Sequence, residues 1–453
     1  MCIRDSKNNY HCFQPLLYQV ATGSLGADSI AHPFRRTVGP MSNVIYRMGE
    51  VLRVVPEGNH VETDHGHVHY DHLILATGTV TNFFGNRQIA EEAMQLKSIN
   101  QALDIRSDFL QDFEAALYLE DEHKQRQRLN FVIVGGGPSG VELAGALAEI
   151  RKTIVKHEYR EMHNERMQIH LVDSNHTVLG SFSPKAQQLA LKYLKKLGVN
   201  VIFGQQVTDY DGETLTFKDG TTMDTNTVIW TAGVKGRPIP GIEGSVEERS
   251  GRYRVDAFNR VVGTKNVYAL GDIAQNTADP QWPKGHPQIA PVAIQQAKNL
   301  AKNLGQKSAV EWKPFGYRDK GSMATIGRYK AVVDAFGMHI GGLFAWLAWM
   351  FVHLMALVGF RNRLQVLIGC LSLCCFLMVR RPPRSTLDRS SAASDVYKRQ
   401  GRAARGRGRR RDHGRLPGEA FGALGDPPPR LREPPAGGRG LSLIHISEPT
   451  RPY

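Results

Sequence analysis

FVIVGGGPSGVELAGALAE, residues Phe131 to Glu149, is the stretch whose reading decides the fold. Four apolar residues, Phe131 to Val134, run as a short strand into Gly135-Gly136-Gly137-Pro138-Ser139-Gly140, and a helical pattern follows at once. The spacing is G-x-G-x-x-G, with Gly135, Gly137 and Gly140 at the three glycine positions. In this pattern the first glycine permits the tight turn, the second lets the backbone approach a pyrophosphate, and the third lets the helix lie close on the strand. The free N–H groups of the first helical turn then face the phosphates. A glycine-rich turn without a ligand is the plainer alternative. Against it stand the strand before, the helix after, and an acidic residue, Asp173, closing the next strand, Met167 to Val172. Asp173 lies farther from the glycines than the usual ~20 residues, which a helix from Val141 to about Glu161 would explain. A carboxylate there accepts from a ribose 2′-OH and repels a 2′-phosphate. No Arg stands among Ser174, Asn175 and His176, so NADH is favoured over NADPH.

Outward from this core, residues 7–330 alternate strand and helix signals, as in a doubly wound α/β fold. Strands are expected at His72–Ala76, Gln168–Val172, Val199–Phe203, Thr227–Thr231 and Val267–Leu270. Helices are expected at Gln101–Glu120, Pro184–Lys196 and Ala293–Leu304, and Asp219-Gly220 marks a hairpin turn. Three strand ends imply a second nucleotide. LILATGT (Leu73 to Thr79) carries Ala76-Thr77-Gly78, VIWTAGV carries Gly233, and YALGDIA (Tyr268 to Ala274) carries Gly271-Asp272. Small turns let backbone come close to a cofactor, and a carboxylate at a strand end can bond a hydroxyl chain.

The formal charge of +14 is uneven: residues 380–453 hold 17 Lys and Arg against 7 Asp and Glu, which leaves the rest of the chain near neutral. A nucleic-acid role for the body is therefore excluded. Cys2, Cys12, Cys370, Cys374 and Cys375 form no C-x-x-C and no zinc-spaced cluster. No metal site is expected, and electrons have no redox disulfide to pass through. Residues Ile340 to Phe360, IGGLFAWLAWMFVHLMALVGF, are uncharged and followed by Arg361 and Arg363. By length they could span a bilayer. With Trp346 and Trp349 as interfacial side chains, lying in the interface is the preferred reading over spanning or core burial. From Arg380 onward Arg, Pro, Gly and Ser dominate, and Gly401–Arg411 reads as a solvated basic tail. MCIRDS at the start, RRPPRSTLDRSSAASDVYKRQ, and SLIHISEPTRPY at the end look like translated sequencing-adaptor read-through and are expected to carry no function.

NNYHCFQPLLYQVATG (Asn8 to Gly23), GGGPSGVELAGALAE (Gly135 to Glu149), YALGDIA, APVAIQQAKNLAKNL (Ala290 to Leu304) and LVGFRNR (Leu357 to Arg363) together resemble the type II NADH dehydrogenases, the non-proton-pumping NADH:quinone oxidoreductases. The resemblance implies two Rossmann-like domains, the NADH domain inserted in the FAD domain, and a C-terminal membrane-binding helix. The expected boundaries are 1–125 and 251–335 for FAD, 126–250 for NADH, 336–367 for the anchor and 368–453 for the tail. It implies that electrons pass from NADH through FAD to a membrane quinone, with the protein on the cytoplasmic face of the cell membrane, and it allows a homodimer. Gly135, Gly137 and Gly140 would hold the NADH pyrophosphate, with Asp173 and Gly233 beside it. Ala76, Thr77, Gly78, Gly271 and Asp272 would hold FAD, and Glu142 would lie near nicotinamide and flavin. Gln295, with Gln296, would fall at the quinone site. Two departures stand out. The family's opening strand and glycine loop for the ADP half of FAD would precede Lys7, so a truncated fragment is expected; and Ala290-Pro291 replaces the usual Ala-Gln. A soluble flavin reductase with a protein acceptor, or an inert NADH-binding fragment lacking FAD, are the competing readings.

Overall fold

The computed structural model describes residues 2–4, 8–155, 158–159, 166–371 and 443–446. The basic tail and most of the adaptor-like stretches lie outside these residues. The architecture is mixed α/β. Its centre is a parallel five-stranded sheet in the order Met94–Gln95, Thr227–Trp230, Asn130–Val134, Gln168–Asp173, Asn200–Phe203. Phe131, Val132 and Ile133 in the middle strand are completely buried. Such continuous apolar runs are what a parallel sheet covered on both faces requires.

The helices are placed by their caps. Ser98 and Gln101 form a capping box at the start of Ile99–Leu117. Ser183 caps Pro184–Leu197, with Pro184 in the first turn and left-handed Gly198 ending it. Helix Pro138–Ile150 continues as a π-type turn over Arg151–Val155. Most of the remainder of the expected helix to Glu161 falls outside the described residues. Strand positions follow the sequence expectation to within a residue or so, and Gly220 sits in the expected turn between Thr214–Phe217 and Thr222–Asp224.

A second parallel pair, His72–Leu75 beside Val267–Ala269, is split in the chain by the whole of the central sheet. The outer edge of His72–Leu75 is taken by Leu443–Ile446, and Cys2–Arg4 pairs with Tyr46–Met48. The antiparallel sheets include a meander of Val51–Val55, His60–Thr63 and Gly66–His69, and a sheet of Ser322–Thr325, Ala331–Ala335 and Met338–Gly342.

The apolar stretch 340–360 is not one segment. Its first three residues finish a strand, helix Leu343–Ala356 takes the middle, and a second helix, Phe360–Leu371, starts at the end. Gly342 and Gly359, both at positive φ, break the backbone on either side. Fourteen helical residues reach about 21 Å, short of a hydrocarbon core of about 30 Å, and no described helix is long and apolar enough to cross a membrane. The expected interfacial role of the two tryptophans is also corrected. Trp346 is 7% and Trp349 1% exposed; Trp346 packs edge-on against Tyr329, and Trp349 stacks on His353.

Helix Ile99–Leu117 is tied to the central sheet by buried Asp112, which accepts from Arg128 at 2.9 Å and from the Thr227 hydroxyl at 2.7 Å. Asp112→Ala leaves both donors without their acceptor and is expected to cost about 2 kcal/mol, read as a lower denaturant midpoint at unchanged m-value.

Candidate functional site

Parallel strands deliver their next residues to one edge, so a crevice forms beyond their C-terminal ends. In the central sheet Val134 lies opposite Trp230 and Val172. Gly135, Thr231 and Asp173 therefore emerge together. They open into a cavity of about 630 Å³ whose lining includes Gly135, Gly137, Asp173, Trp230 and Gly233, with Phe83 and Phe84 across from them. Gly135 has φ +113, and a side chain there would strike the Ala232 backbone. Gly137 caps the helix in extended conformation, and a Cβ on it would meet nothing within 4 Å. That empty approach is what a pyrophosphate against the backbone needs. Gly140 is the opposite case: a Cβ there would collide with the Gly135 carbonyl oxygen and lie 2.8 Å from Thr231 Oγ1.

Asp173 organises the loop it faces. One carboxylate oxygen accepts from the Gly136 N–H, and the other accepts from the Asn175 backbone and side chain at 2.7 and 2.8 Å. The aromatic wall is fixed by Trp230, whose indole N–H donates to the carbonyls of Asn82 and Ala232. Phe83, Phe84 and Trp230 escaped sequence reasoning; only an aromatic residue next to each strand-end turn hinted at them.

The second parallel pair builds a second crevice by the same rule. His72–Leu75 and Val267–Ala269 run side by side, so Ala76-Thr77-Gly78 and Gly271-Asp272 emerge together. Thr79 donates to Asp272 at 3.5 Å, and Lys97 donates to Thr79. Gln288 donates to the Asp272 carbonyl. Burial lifts the Asp272 carboxyl above its ordinary range, opposed by Lys97 and Arg252. Gln296 is fully buried; its Oε1 accepts from the Gly271 N–H at 2.7 Å, while its Nε2 has no protein partner. A buried donor without a partner beside a Gly-Asp turn fits a polar ligand group such as a flavin oxygen or ribityl hydroxyl. Lys97 and Gln288 carry no motif and could not be picked from the sequence, and Thr79 closes LILATGT without being singled out there. Gln295 has a different neighbourhood: its amide exchanges two hydrogen bonds with the Arg318 backbone, at 3.0 and 3.1 Å.

A short antiparallel ladder, Thr79–Thr81 on Val234–Gly236, joins the two crevices. Glu142, on the first helical turns after the fingerprint, is buried and accepts from the Thr325 N–H at 3.4 Å; the Thr325 hydroxyl in turn meets Tyr18 Oη at 2.9 Å. Loss of water raises the Glu142 carboxyl from 4.5 to about 8, partly opposed by the Thr325 bond, so it holds its proton at neutral pH.

Comparison with known proteins agrees with this geometry. Residues 1–297 match the family model described as pyridine nucleotide-disulphide oxidoreductase, and residues 320–376 match the NDH2 C-terminal domain. Two Mycobacterium tuberculosis proteins, the type II NADH:quinone oxidoreductases Ndh and NdhA, are 35% and 37% identical; the alignments cover 86% and 80% of this chain and 85% and 80% of theirs. A solved structure of NDH2 from Plasmodium falciparum in complex with NADH has the same fold, with TM-score 0.74 at 20% identity over 82% of this chain and 92% of that one. With relatives this similar aligned along most of both chains, and the family's own C-terminal domain matched behind the nucleotide folds, the chain belongs to the type II NADH:quinone oxidoreductases.

Proposed function

We propose that this protein oxidises NADH and delivers the electrons, through FAD, to a quinone at a membrane surface without pumping protons. The observation that carries the reading is the pair of strand-end crevices joined by one short ladder, since hydride transfer needs the reacting atoms of two cofactors held in contact. Gly135, Gly137, Gly140, Asp173 and Gly233 hold NADH. Ala76, Thr77, Gly78, Gly271 and Asp272, with Gln296, hold FAD, which when bound supplies two-electron acceptance from a nicotinamide and electron return to a quinone. Residues 126–250 serve NADH, residues 1–125 and 251–335 serve FAD, and 336–367 meet the membrane. The cysteine positions offer no thiol relay, so the quinone itself must reach the FAD crevice. We assign Glu142, on the fingerprint helix itself, as the carboxyl that holds a proton near the reacting centre. Gln295 and Gln296, in the second turn of helix Ala290–Leu304, are our assignment for the quinone site.

Membrane contact rests on the two C-terminal helices. Phe344, Phe351 and Phe360 are 77%, 64% and 81% exposed, with Leu347, Met355, Leu364 and Ile368 also turned outward. Large apolar exposure of this kind marks a docking face, and on a helix too short to span it favours lying in the interface; the side we assign to it is the cytoplasmic face of the cell membrane. A homodimer is compatible with this arrangement.

The full-length gene product should oxidise NADH with a soluble quinone as acceptor and show the visible absorbance of bound flavin. A preference for NADPH, or a colourless protein, would sink the reading. Gly137→Val is expected to raise the KM for NADH by about tenfold or more while flavin absorbance stays unchanged, because the added side chain meets only the open pyrophosphate path. Replacing Phe344, Phe351 and Phe360 together by Ser should reduce sedimentation with anionic vesicles by at least about tenfold, since each ring contributes on the order of 1.5 kcal/mol or more when buried in lipid. Glu142 supplies a pH signature. Its folded-state value of about 8 exceeds the ordinary 4.5, so its favourable contribution is complete below 4.5 and is lost as pH rises through about 8. Glu142→Gln removes that titration; the fall in melting temperature between pH 5 and pH 8.5 should be shallower in the variant than in the parent.

A further inference from the structure

We propose that the outer face of the hairpin spanning residues 60–69 binds a divalent transition-metal cation of the zinc class. Strand His60–Thr63 pairs antiparallel with Gly66–His69, with His60 opposite His69 and Glu62 opposite His67. Residues directly opposite in such a pair share a face, as do residues two apart along a strand. His60, Glu62, His67 and His69 therefore form a square on one face. The other face carries Val61, completely buried, and Val68, packed on the core formed with Val54, Leu73 and Leu75. The alternation that buries the valines is what gathers three imidazoles and a carboxylate on the outside.

The donor atoms of His60, Glu62 and His67 lie within 4.8 Å of one another. Ligands of a tetrahedral zinc ion with bonds of about 2 Å stand about 3.3 Å apart, so small rotamer adjustments close the set. The rings are already assembled: the centroid of His60 is 4.9 Å from that of His67 and 5.4 Å from that of His69. His60 lies over Gly58, where a side chain would collide with the ring, and its Nδ1 is shielded from water with no hydrogen-bond partner. Two imidazoles and one carboxylate are a zinc ligand set with a fourth position to spare; His69 or water fills it. Imidazole donors favour Zn²⁺, Cu²⁺ or Ni²⁺ over Mg²⁺ or Ca²⁺. A bound ion would cross-link the edge strand Gly66–His69 to its neighbour. None of these residues takes part in the dinucleotide crevices, so binding is separable from NADH oxidation.

The test is calorimetric titration of the chelator-stripped full-length protein with ZnCl₂, repeated with MgCl₂. One equivalent of Zn²⁺ binding in the micromolar range or tighter, no comparable Mg²⁺ binding, a rise in melting temperature with Zn²⁺, and at least about tenfold weaker binding in His67→Ala and in Glu62→Gln are expected. Both variants should retain the parent's NADH oxidation and metal-free melting temperature, because the altered side chains lie outside the core. Absence of micromolar Zn²⁺ binding in the parent, or unchanged affinity in a His60→Ala/His67→Ala double variant, would overturn the proposal.

Discussion

One steric constraint sets the rest of the site: how closely helix Pro138–Ile150 lies on its neighbours. At Gly140 the helix touches the Gly135 carbonyl and Thr231, and at Gly145 a Cβ would come within 2.7 Å of the Gly327 backbone nitrogen. The helix is thus clamped between the central sheet and the sheet that starts at Ser322, with no room for a methyl group on either side. Glu142 lies between the two contacts and cannot turn to water. Its burial, its bond to Thr325 and its raised proton affinity are consequences of the two glycines. The same closeness points the first helical turn at the open space over Gly137. One packing decision therefore prepares both an anion-binding helix end and a protonated carboxyl two residues beyond Gly140.

The two crevices repeat one physical device. Each arises where adjacent parallel strands stop together and release small residues, and in each a carboxylate orders the turn. Asp173 binds the fingerprint loop from outside, with protein N–H groups as donors. Asp272 is held among Thr79, Lys97 and Arg252. The difference in partners has a chemical meaning. The nicotinamide dinucleotide must come and go, and Asp173 lines the open cavity. The Gly271-Asp272 turn is locked from behind by Gln296, as suits a group that stays.

The fingerprint was legible because its constraints are local. Strand, turn and helix occupy a single continuous stretch, and the strands beside it carry apolar runs of their own. The meander of Val51–His69 was not, because its outer face carries His and Glu at alternate positions, and a half-exposed antiparallel strand of that composition resembles a loop. Thr79 and Lys97, 18 residues apart, and the distant Gln288 gather around Asp272 only after folding. The apolar stretch 340–360 misled for a related reason. Hydropathy sums over a window and does not register the two glycines that break it. It is equally blind to Tyr329, which gives Trp346 an aromatic partner inside the fold. Composition marked the stretch as apolar; tertiary packing decided which half of it faces inward.

That inward half matters for electron delivery. Helix Leu343–Ala356 packs on strands Ala331–Ala335 and Met338–Gly342, while helix Pro138–Ile150 packs on Ser322–Thr325. These three strands are one antiparallel sheet with continuous register. The sheet is therefore a common mount: strand Ser322–Thr325 receives the Glu142 helix, and all three strands receive the apolar helix. Trp346 and Trp349, spent on the interior, fix the second helix to the mount and leave Phe344 and Phe351 outward. On the proposed function, a quinone dissolved among lipid chains would be brought near the proposed FAD crevice only if the apolar face and the crevice keep a fixed relation. A flexible tether would not provide that registration, whereas a shared sheet does. The burial of the two tryptophans fixes the remaining apolar face on that sheet.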